Sequence, residues 1–146
     1  MAKDNSFETI KYGGMVIAII LPSNYGSDRT RFFSPAEFSQ QLGYIVHKKG
    51  GVIKAHFHRQ IHRKITITQE VLFVRKGRLT INFYAPGRKL LTSRQLRRGD
   101  TVFLCGGGHG LKMLEDCELI EVKQGPYSGK ASDKETFEGI EYDTGK

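Results

Sequence analysis

The sequence predicts an all-β fold, a barrel or sandwich, and three observations support this prediction. Short runs rich in Val, Ile, Leu, Phe and Tyr recur along the chain, and turn sequences such as "RKGR", "APGRK" and "RRGD" separate them. The chain has 17 glycines but only 4 prolines, which favours many tight turns. Its 146 residues are enough for one domain that buries a hydrophobic core without the help of disulfides or a structural metal.

The predicted elements follow from these runs in chain order. The strands are expected at residues 15–21, 42–48, 52–58, 65–75, 78–84, 89–96, 101–104, 109–114 and 117–123. A short helix is expected at residues 35–41, because Ser34, Pro35 and Glu37 have the spacing of a capping box. Residues 1–125 are therefore expected to form the domain. Residues 126–146 contain few apolar side chains and are expected to pack on it as a tail or to be partly disordered.

The compartment is predicted from the N-terminal segment and the cysteines. The apolar run at residues 15–21 is far shorter than the roughly 20 residues that cross a bilayer, and Asp4 and Glu8 do not fit a signal peptide. We therefore expect a buried strand there and no membrane association. Cys105 and Cys117 form no disulfide framework, which favours a reducing cytoplasm, and Cys105 is expected to be a small core residue.

The charge is positive and unevenly distributed. The chain carries 23 Lys and Arg against 15 Asp and Glu, a net charge of +8. Residues 130–146 contain three basic and five acidic side chains, so residues 1–129 contain 20 basic and 10 acidic ones. Such a body attracts nucleic acid or small anions, although many of the basic residues stand at turns, where charges are usually solvated.

The segment "AHFHRQIHRKITITQEVLFVRKG" at residues 55–77 contains the strongest candidate site. In the predicted strand, His56 and His58 point to the same side, and two such imidazoles bind one divalent cation when another strand adds a ligand. Glu70 is the natural third ligand, because it begins an apolar run that we expect to be buried on both faces, where an unpaired carboxylate is costly. The alternative is that His56 and His58 lie on a basic surface strand.

A third histidine stands in the glycine-rich segment "CGGGHGLKM". The glycines leave the backbone free to turn the ring of His109 inward, and His109, Leu111 and Met113 alternate onto one face of the predicted strand. His47 and His62 stand alone among basic residues and are expected at the surface or at the rim of the site.

The spacing of these residues resembles the motifs of the cupin superfamily. Five residues separate Gly50 from His56, His58 follows at the family spacing, and six residues separate Glu70 from Gly77. Gly99, the glycines after Cys105 and His109 resemble the second motif. The segments "SQQLGY", "TQEVLF" and "EVKQGPYSG" are similar to small single-domain bacterial cupins, some of them found near surface-polysaccharide genes.

The resemblance implies a jelly-roll barrel, a double-stranded β-helix, with a metal in its mouth. It implies one divalent transition metal, Fe, Mn, Ni, Zn or Co, bound by His56, His58, Glu70 and His109. One departure from the family lies between His58 and Glu70, where eleven residues stand in place of the usual three or four. The second motif also lacks its Pro, is one residue shorter before His109 and has Met113 where the family has Asn.

A metal-dependent enzyme acting on a small anionic metabolite is the function that these features favour. An isomerase or epimerase, a lyase and a dioxygenase all suit such a centre, and a sugar phosphate, nucleotide sugar or sugar acid would suit a basic mouth formed by Lys54, His62 and Arg63. A non-catalytic ligand-binding or regulatory protein is the alternative. A nucleic-acid-binding barrel is less favoured, because the aromatic residues stand where burial explains them. We also expect a homodimer, and residues 15–21 are the candidate segment for completing a partner's sheet.

Overall fold

A computed structural model describes residues 6–142 and confirms the all-β prediction. In chain order the strands are β1 (Glu8–Tyr12), β2 (Met15–Leu21), β3 (Arg31–Phe32), β4 (Gly43–Tyr44), β5 (Glu70–Lys76), β6 (Arg78–Ala85), β7 (Lys89–Arg97), β8 (Thr101–Leu104), β9 (Gly108–Met113) and β10 (Glu118–Lys123). One helical turn, α1 (Lys130–Asp133), and a 3₁₀ turn (Ile140–Tyr142) follow. Neither helical segment is long enough to span a membrane within the described residues.

The strands form two main sheets and one small pair. The larger sheet has the order β1-β2-β8-β5-β10, the smaller has the order β7-β6-β9, and β3 pairs with β4. Every pairing is antiparallel. From β5 onward the chain passes repeatedly between the two main sheets, so the main core fills the space that they share. A second cluster around Ile19, Phe103 and Cys105 lies on the other face of the larger sheet.

The core follows from the alternation of side chains along the strands. Leu79, Ile81 and Phe83 of β6 are fully buried and belong to the same cluster as Leu72 and Val74 of β5. The prediction that the β5 run is buried on both faces is wrong at Phe73, which is exposed, whereas Val71 on the same outer face packs on a second apolar cluster. The inner faces of the two sheets therefore pack on each other, as in a sandwich.

The predicted turn at residues 75–78 is confirmed, and Gly77 explains its geometry. Gly77 joins β5 to β6 with a φ of +82°, a backbone angle that residues other than glycine rarely adopt. A β-carbon at this position would overlap the Asp116 carbonyl oxygen and lie 2.7 Å from Cys117 Sγ. Only glycine lets the two strands separate into different sheets at this point.

Four sequence predictions of secondary structure up to β5 differ from the structure: two elements are absent and two strands are shorter than predicted. Residues 35–41 form turns instead of a helix, because side chains satisfy the backbone there: Gln41 Nε2 donates to the Pro35 carbonyl oxygen and the Leu42 amide donates to Ser34 Oγ. The strand predicted at residues 42–48 is limited to β4, and none forms at residues 52–58. The run predicted from residue 65 begins only at Glu70.

Residues 15–21 lie inside the sheet of their own chain. As β2, this segment pairs with β1 on one side and with β8 on the other. The expectation that it completes a partner's sheet is therefore wrong, since neither edge of the strand is open. The sequence had not predicted β1, whose residues are mostly polar and exposed.

Residues 47–68 form a long connection on the surface that we call the arm. Every residue of the arm is exposed and none belongs to a strand. The segment contains His47, His56, His58 and His62. It connects β4 with β5 and thus lies immediately before Glu70 in the chain.

The end of the described chain packs against the smaller sheet. The Phe137 ring meets the Tyr84 ring edge-on at 5.1 Å, and Arg88 forms an ion pair with Glu135. Tyr84 and Asn82, on the outer face of β6, are buried beneath this segment. Residues 143–146 of the predicted tail lie outside the described residues.

Candidate functional site

Two of the four predicted metal ligands, Glu70 and His109, meet between the main sheets. Glu70 begins β5 and shares its inner face with Leu72, while His109 lies opposite the buried Phe83 in the register of β9 and β6. His109 Nε2 lies 3.3 Å from Glu70 Oε2. The prediction that His109 and Leu111 alternate onto one face agrees with this register.

The Glu70 carboxylate is buried, but it has charged and hydrogen-bonding partners. Its side chain is 8% exposed and that of His109 is 30% exposed. The hydrogen bond from His109 lowers the pKa of the Glu70 carboxyl below its usual value and outweighs burial, which alone would raise it. Lys123, opposite Glu70 in the register of β10 and β5, adds a positive charge 3.9 Å from Oε1. Glu70 is therefore ionised at neutral pH.

Lys123 also ties α1 to this end of the sheets. Its Nζ lies 3.3 Å from Glu121 Oε1 and 3.8 Å from Asp133 Oδ2. Thr68 Oγ1 donates to Asp133 Oδ1 at 3.3 Å. These contacts hold α1 beside Glu70, at the point where the arm joins β5.

A pocket of about 580 Å³ opens on the Glu70–His109 pair. The charged residues that line it, besides that pair, come from the C-terminal segment: Asp133, Lys134, Glu135 and Glu141. Four carboxylates thus face one lysine and one imidazole. The lining of a single chain is therefore more acidic than the basic mouth that the sequence predicted, although Lys123 and Arg88 pair with Glu70, Asp133 and Glu135 from outside the lining.

Glu141 is a site residue that the sequence did not reveal. Its Oε2 accepts hydrogen bonds from Asn82 Nδ2 at 3.0 Å and from the Tyr84 hydroxyl at 2.7 Å. Burial opposes ionisation, but these two bonds leave the pKa of the Glu141 carboxyl below its usual value. Burial also raises the pKa of Tyr84, so its hydroxyl keeps the proton that it donates. No local pattern pointed to Glu141, because its partners are distant in the chain.

Gly110 provides the room that the Glu141 carboxylate occupies. A β-carbon at Gly110 would overlap the carboxylate oxygens. We expect Gly110→Ala to displace Glu141, break both of its hydrogen bonds and lower the free energy of unfolding by about 1–3 kcal/mol, measured by urea denaturation. Gly14→Ala is the matched control, because a β-carbon there meets nothing within 4 Å. Equal stability of the two variants would contradict this role of Gly110.

The other two predicted ligands, His56 and His58, lie in the exposed arm. Their ring centroids are 5.2 Å apart. His56 Nδ1 lies 2.8 Å from the Lys54 carbonyl oxygen, which only accepts, so Nδ1 donates and Nε2 is left free. Within residues 6–142, no three His, Cys, Asp or Glu side chains are grouped so as to hold a metal ion. One chain therefore brings Glu70 and His109 together but does not bring the histidine pair to them.

The predicted substrate-binding residues are also in the arm. Lys54, His62 and Arg63 are exposed and do not line the pocket at Glu70. Their assignment to a substrate therefore stays a prediction.

The cysteines take no part in this site. Cys105 is buried, and burial raises the pKa of its thiol to about 12, so it remains protonated and unreactive. This confirms the prediction of a small core residue. Cys117 accompanies it as a second free thiol.

Comparison with known proteins identified no relative. No protein-family model, curated protein or solved structure matches this chain. The site is therefore interpreted from its own geometry and chemistry.

Proposed function

We propose that the protein is a metal-dependent enzyme of the cupin type that acts on a small metabolite in the pocket beside Glu70 and His109. The observation that carries this proposal is the contact between an ionised, buried carboxylate and a half-buried imidazole on the inner faces of two different sheets. Such a pair facing a pocket is typical of a binding or catalytic centre.

The topology supports a jelly-roll arrangement of the strands. β5, β8 and β10 belong to the larger sheet, whereas β6, β7 and β9 belong to the smaller one, so every connection from β5 to β10 except the β6–β7 hairpin crosses between the layers. Repeated crossing of this kind is the feature that jelly rolls share. Glu70 and His109 then lie at one end of the interior, where the cupin resemblance implies a metal.

The distance between the two side chains fits a shared metal ion. Two neighbouring ligands about 2.1 Å from one octahedral ion stand roughly 3 Å apart, close to the 3.3 Å between His109 Nε2 and Glu70 Oε2. His56 is also prepared for ligation, because ligating histidines commonly donate their other nitrogen to a carbonyl, as His56 does to Lys54. We therefore propose Glu70, His109, His56 and His58 as ligands of Fe, Mn, Ni, Zn or Co.

The residues around the pair would bind and orient the metabolite. A bound ion of this kind supplies Lewis-acid or oxygen-activating chemistry, as in isomerases, lyases and dioxygenases. Glu141, fixed by Asn82 and Tyr84, presents a carboxylate that accepts hydrogen bonds from substrate hydroxyl groups. Lys134 is the cationic donor among the lining residues.

The charge of the pocket bears on the substrate. Carboxylates suit the hydroxyl groups of a sugar, but they repel a phosphate or a carboxylate. A sugar phosphate, nucleotide sugar or sugar acid therefore requires basic groups from elsewhere, and Lys54, His62 and Arg63 of the arm are the residues proposed for this role.

Metal analysis followed by a turnover screen tests the function. After exposure to iron, manganese, nickel, cobalt or zinc, we expect about one bound ion per chain, with affinity falling as the pH drops through about 6.5, because imidazoles must lose their protons to bind. Sugar phosphates, nucleotide sugars and sugar acids are then tested under air and under nitrogen. Saturable binding without turnover would instead indicate a ligand-binding protein, and the absence of any stoichiometric ion would contradict the metal centre.

A further inference from the structure

The arm exposes a row of apolar side chains that a single chain leaves in water. Phe57 is 98% exposed, and the other large apolar residues of the row are Val52, Ile53, Ile61, Ile65 and Ile67. Summed over these six residues, the exposed area is on the order of 700 Å². This area is close to the about 800 Å² that each partner contributes to a standard interface.

The free edge of β9 offers a matching surface. β9 pairs with β6 on one side, and within residues 6–142 no strand pairs with its other side. Exposed apolar residues flank this edge: Met113 and Leu114 at the end of β9, and Ile140 and Tyr142 in the 3₁₀ turn that contacts β9. An open edge between apolar side chains readily accepts an additional strand.

The charges of the arm and of the pocket next to β9 are complementary. The arm carries six basic residues and no acidic one: Lys48, Lys49, Lys54, Arg59, Arg63 and Lys64. The pocket is lined by Glu70, Asp133, Glu135 and Glu141 against Lys134. Lys123 pairs with Glu70 and Asp133, and Arg88 pairs with Glu135, so Glu141, bonded only by neutral groups, is the one of these carboxylates without a cationic partner within residues 6–142. Because the basic residues of the arm are all exposed and none lines the pocket at Glu70 of its own chain, a second identical chain can supply the acidic groups that these cations fit.

We propose that two copies of the chain exchange their arms, and that residues 52–58 of each copy add as a strand to the free edge of β9 in the other. The exchange is reciprocal, so one twofold axis relates the two copies, and the β9 edge of each copy is covered by the arm of the other. In the added strand, His56 and His58 point to one face while Ile53 and Phe57 point to the other. With the histidines facing inward like His109, Ile53 and Phe57 face the exposed Ile140 and Tyr142.

The exchange also explains why one chain contains only half of the proposed metal site, and this part rests on the proposed function. Residues 52–58 of the second copy would lie beside the strand that carries His109, with His56 and His58 on the side of Glu70. Lys54 shares the face of the two histidines and would bring a basic group to the acidic pocket. Each complete site would then contain residues of both copies.

The assembly state tests the exchange without any metal. We expect light scattering at micromolar concentration to return twice the chain mass of 16.5 kDa. Phe57→Asp and Ile53→Asp place a charge among the apolar residues that the exchange would bury. Each variant should have the mass of one chain and an unchanged far-ultraviolet spectrum. Tyr127→Asp is the matched control, because Tyr127 is also exposed but lies outside the arm, and it should remain dimeric. A monomeric wild type, or a Phe57→Asp variant that stays dimeric, overturns the proposal.

Complementation with cobalt(II) alone tests whether the sites are shared. One chain carries His56→Ala and His58→Ala, and the other carries Glu70→Gln and His109→Ala, so neither binds cobalt alone. Exchanged arms give each mixed dimer one intact site, and random pairing of the co-refolded chains restores up to about a quarter of the wild-type sites. If the wild type binds cobalt but the mixed chains do not, then His56 and His58 bind the metal together with Glu70 and His109 of their own chain. This result overturns the exchange. A wild type that binds no cobalt, iron, manganese, nickel or zinc contradicts the metal centre instead, and the assembly measurement then decides the exchange by itself.

Discussion

Replacing His109 by alanine is expected to abolish metal binding. His109 is the imidazole that contacts Glu70 on the inner faces of the sheets, so its removal takes away a ligand and leaves the buried carboxylate without its hydrogen bond. The loss of affinity should exceed the 10- to 100-fold that is typical of changes around a ligand. Isothermal titration with manganese or zinc measures the effect.

Two further variants define this result. His47→Ala is the matched control, because His47 is an exposed histidine of the arm without a partner at the pocket, and it should bind metal like the wild type. Glu70→Gln keeps the shape of the side chain but removes the charge, so it should weaken the site as well. If His109→Ala binds metal with wild-type affinity, the contact between Glu70 and His109 has only a structural role.

Phe83→Ala should cause the largest loss of stability. Phe83 is fully buried in the cluster between the two sheets, and emptying such a site costs the transfer free energy of the ring together with the cavity that remains. We expect the free energy of unfolding to fall by about 3–5 kcal/mol, measured by urea denaturation. Because Phe83 lies opposite His109 in the register, the cavity should also loosen the imidazole and reduce metal affinity.

Phe73→Ala provides the comparison within the same pair of sheets. Phe73 is also a strand phenylalanine, but it lies on the exposed face of β5. Its replacement should change the free energy of unfolding by no more than about 1 kcal/mol. Equal losses for the two variants would contradict the assignment of inner and outer faces.

Local patterns in the sequence were sufficient for much of the fold. The runs at residues 78–84, 89–96 and 101–104 match β6, β7 and β8 within one residue at each end, because apolar alternation and the glycine turns between the strands are properties of neighbouring residues. The sequence likewise predicted that Glu70 is buried and therefore needs a charged or hydrogen-bonding partner. In the structure Glu70 is buried and contacts His109.

Pairing between distant segments was decided only by the tertiary structure. Residues 52–58 alternate as regularly as β6 does, yet they form no strand, because a strand also needs a neighbour for its backbone hydrogen bonds, and the described part of the chain supplies none there. The burial of Glu141 by Asn82 and Tyr84 is equally non-local. The sequence by itself determined which way each side chain points along an extended segment. Only the tertiary structure decided which segments lie side by side, because that depends on the packing of the whole chain.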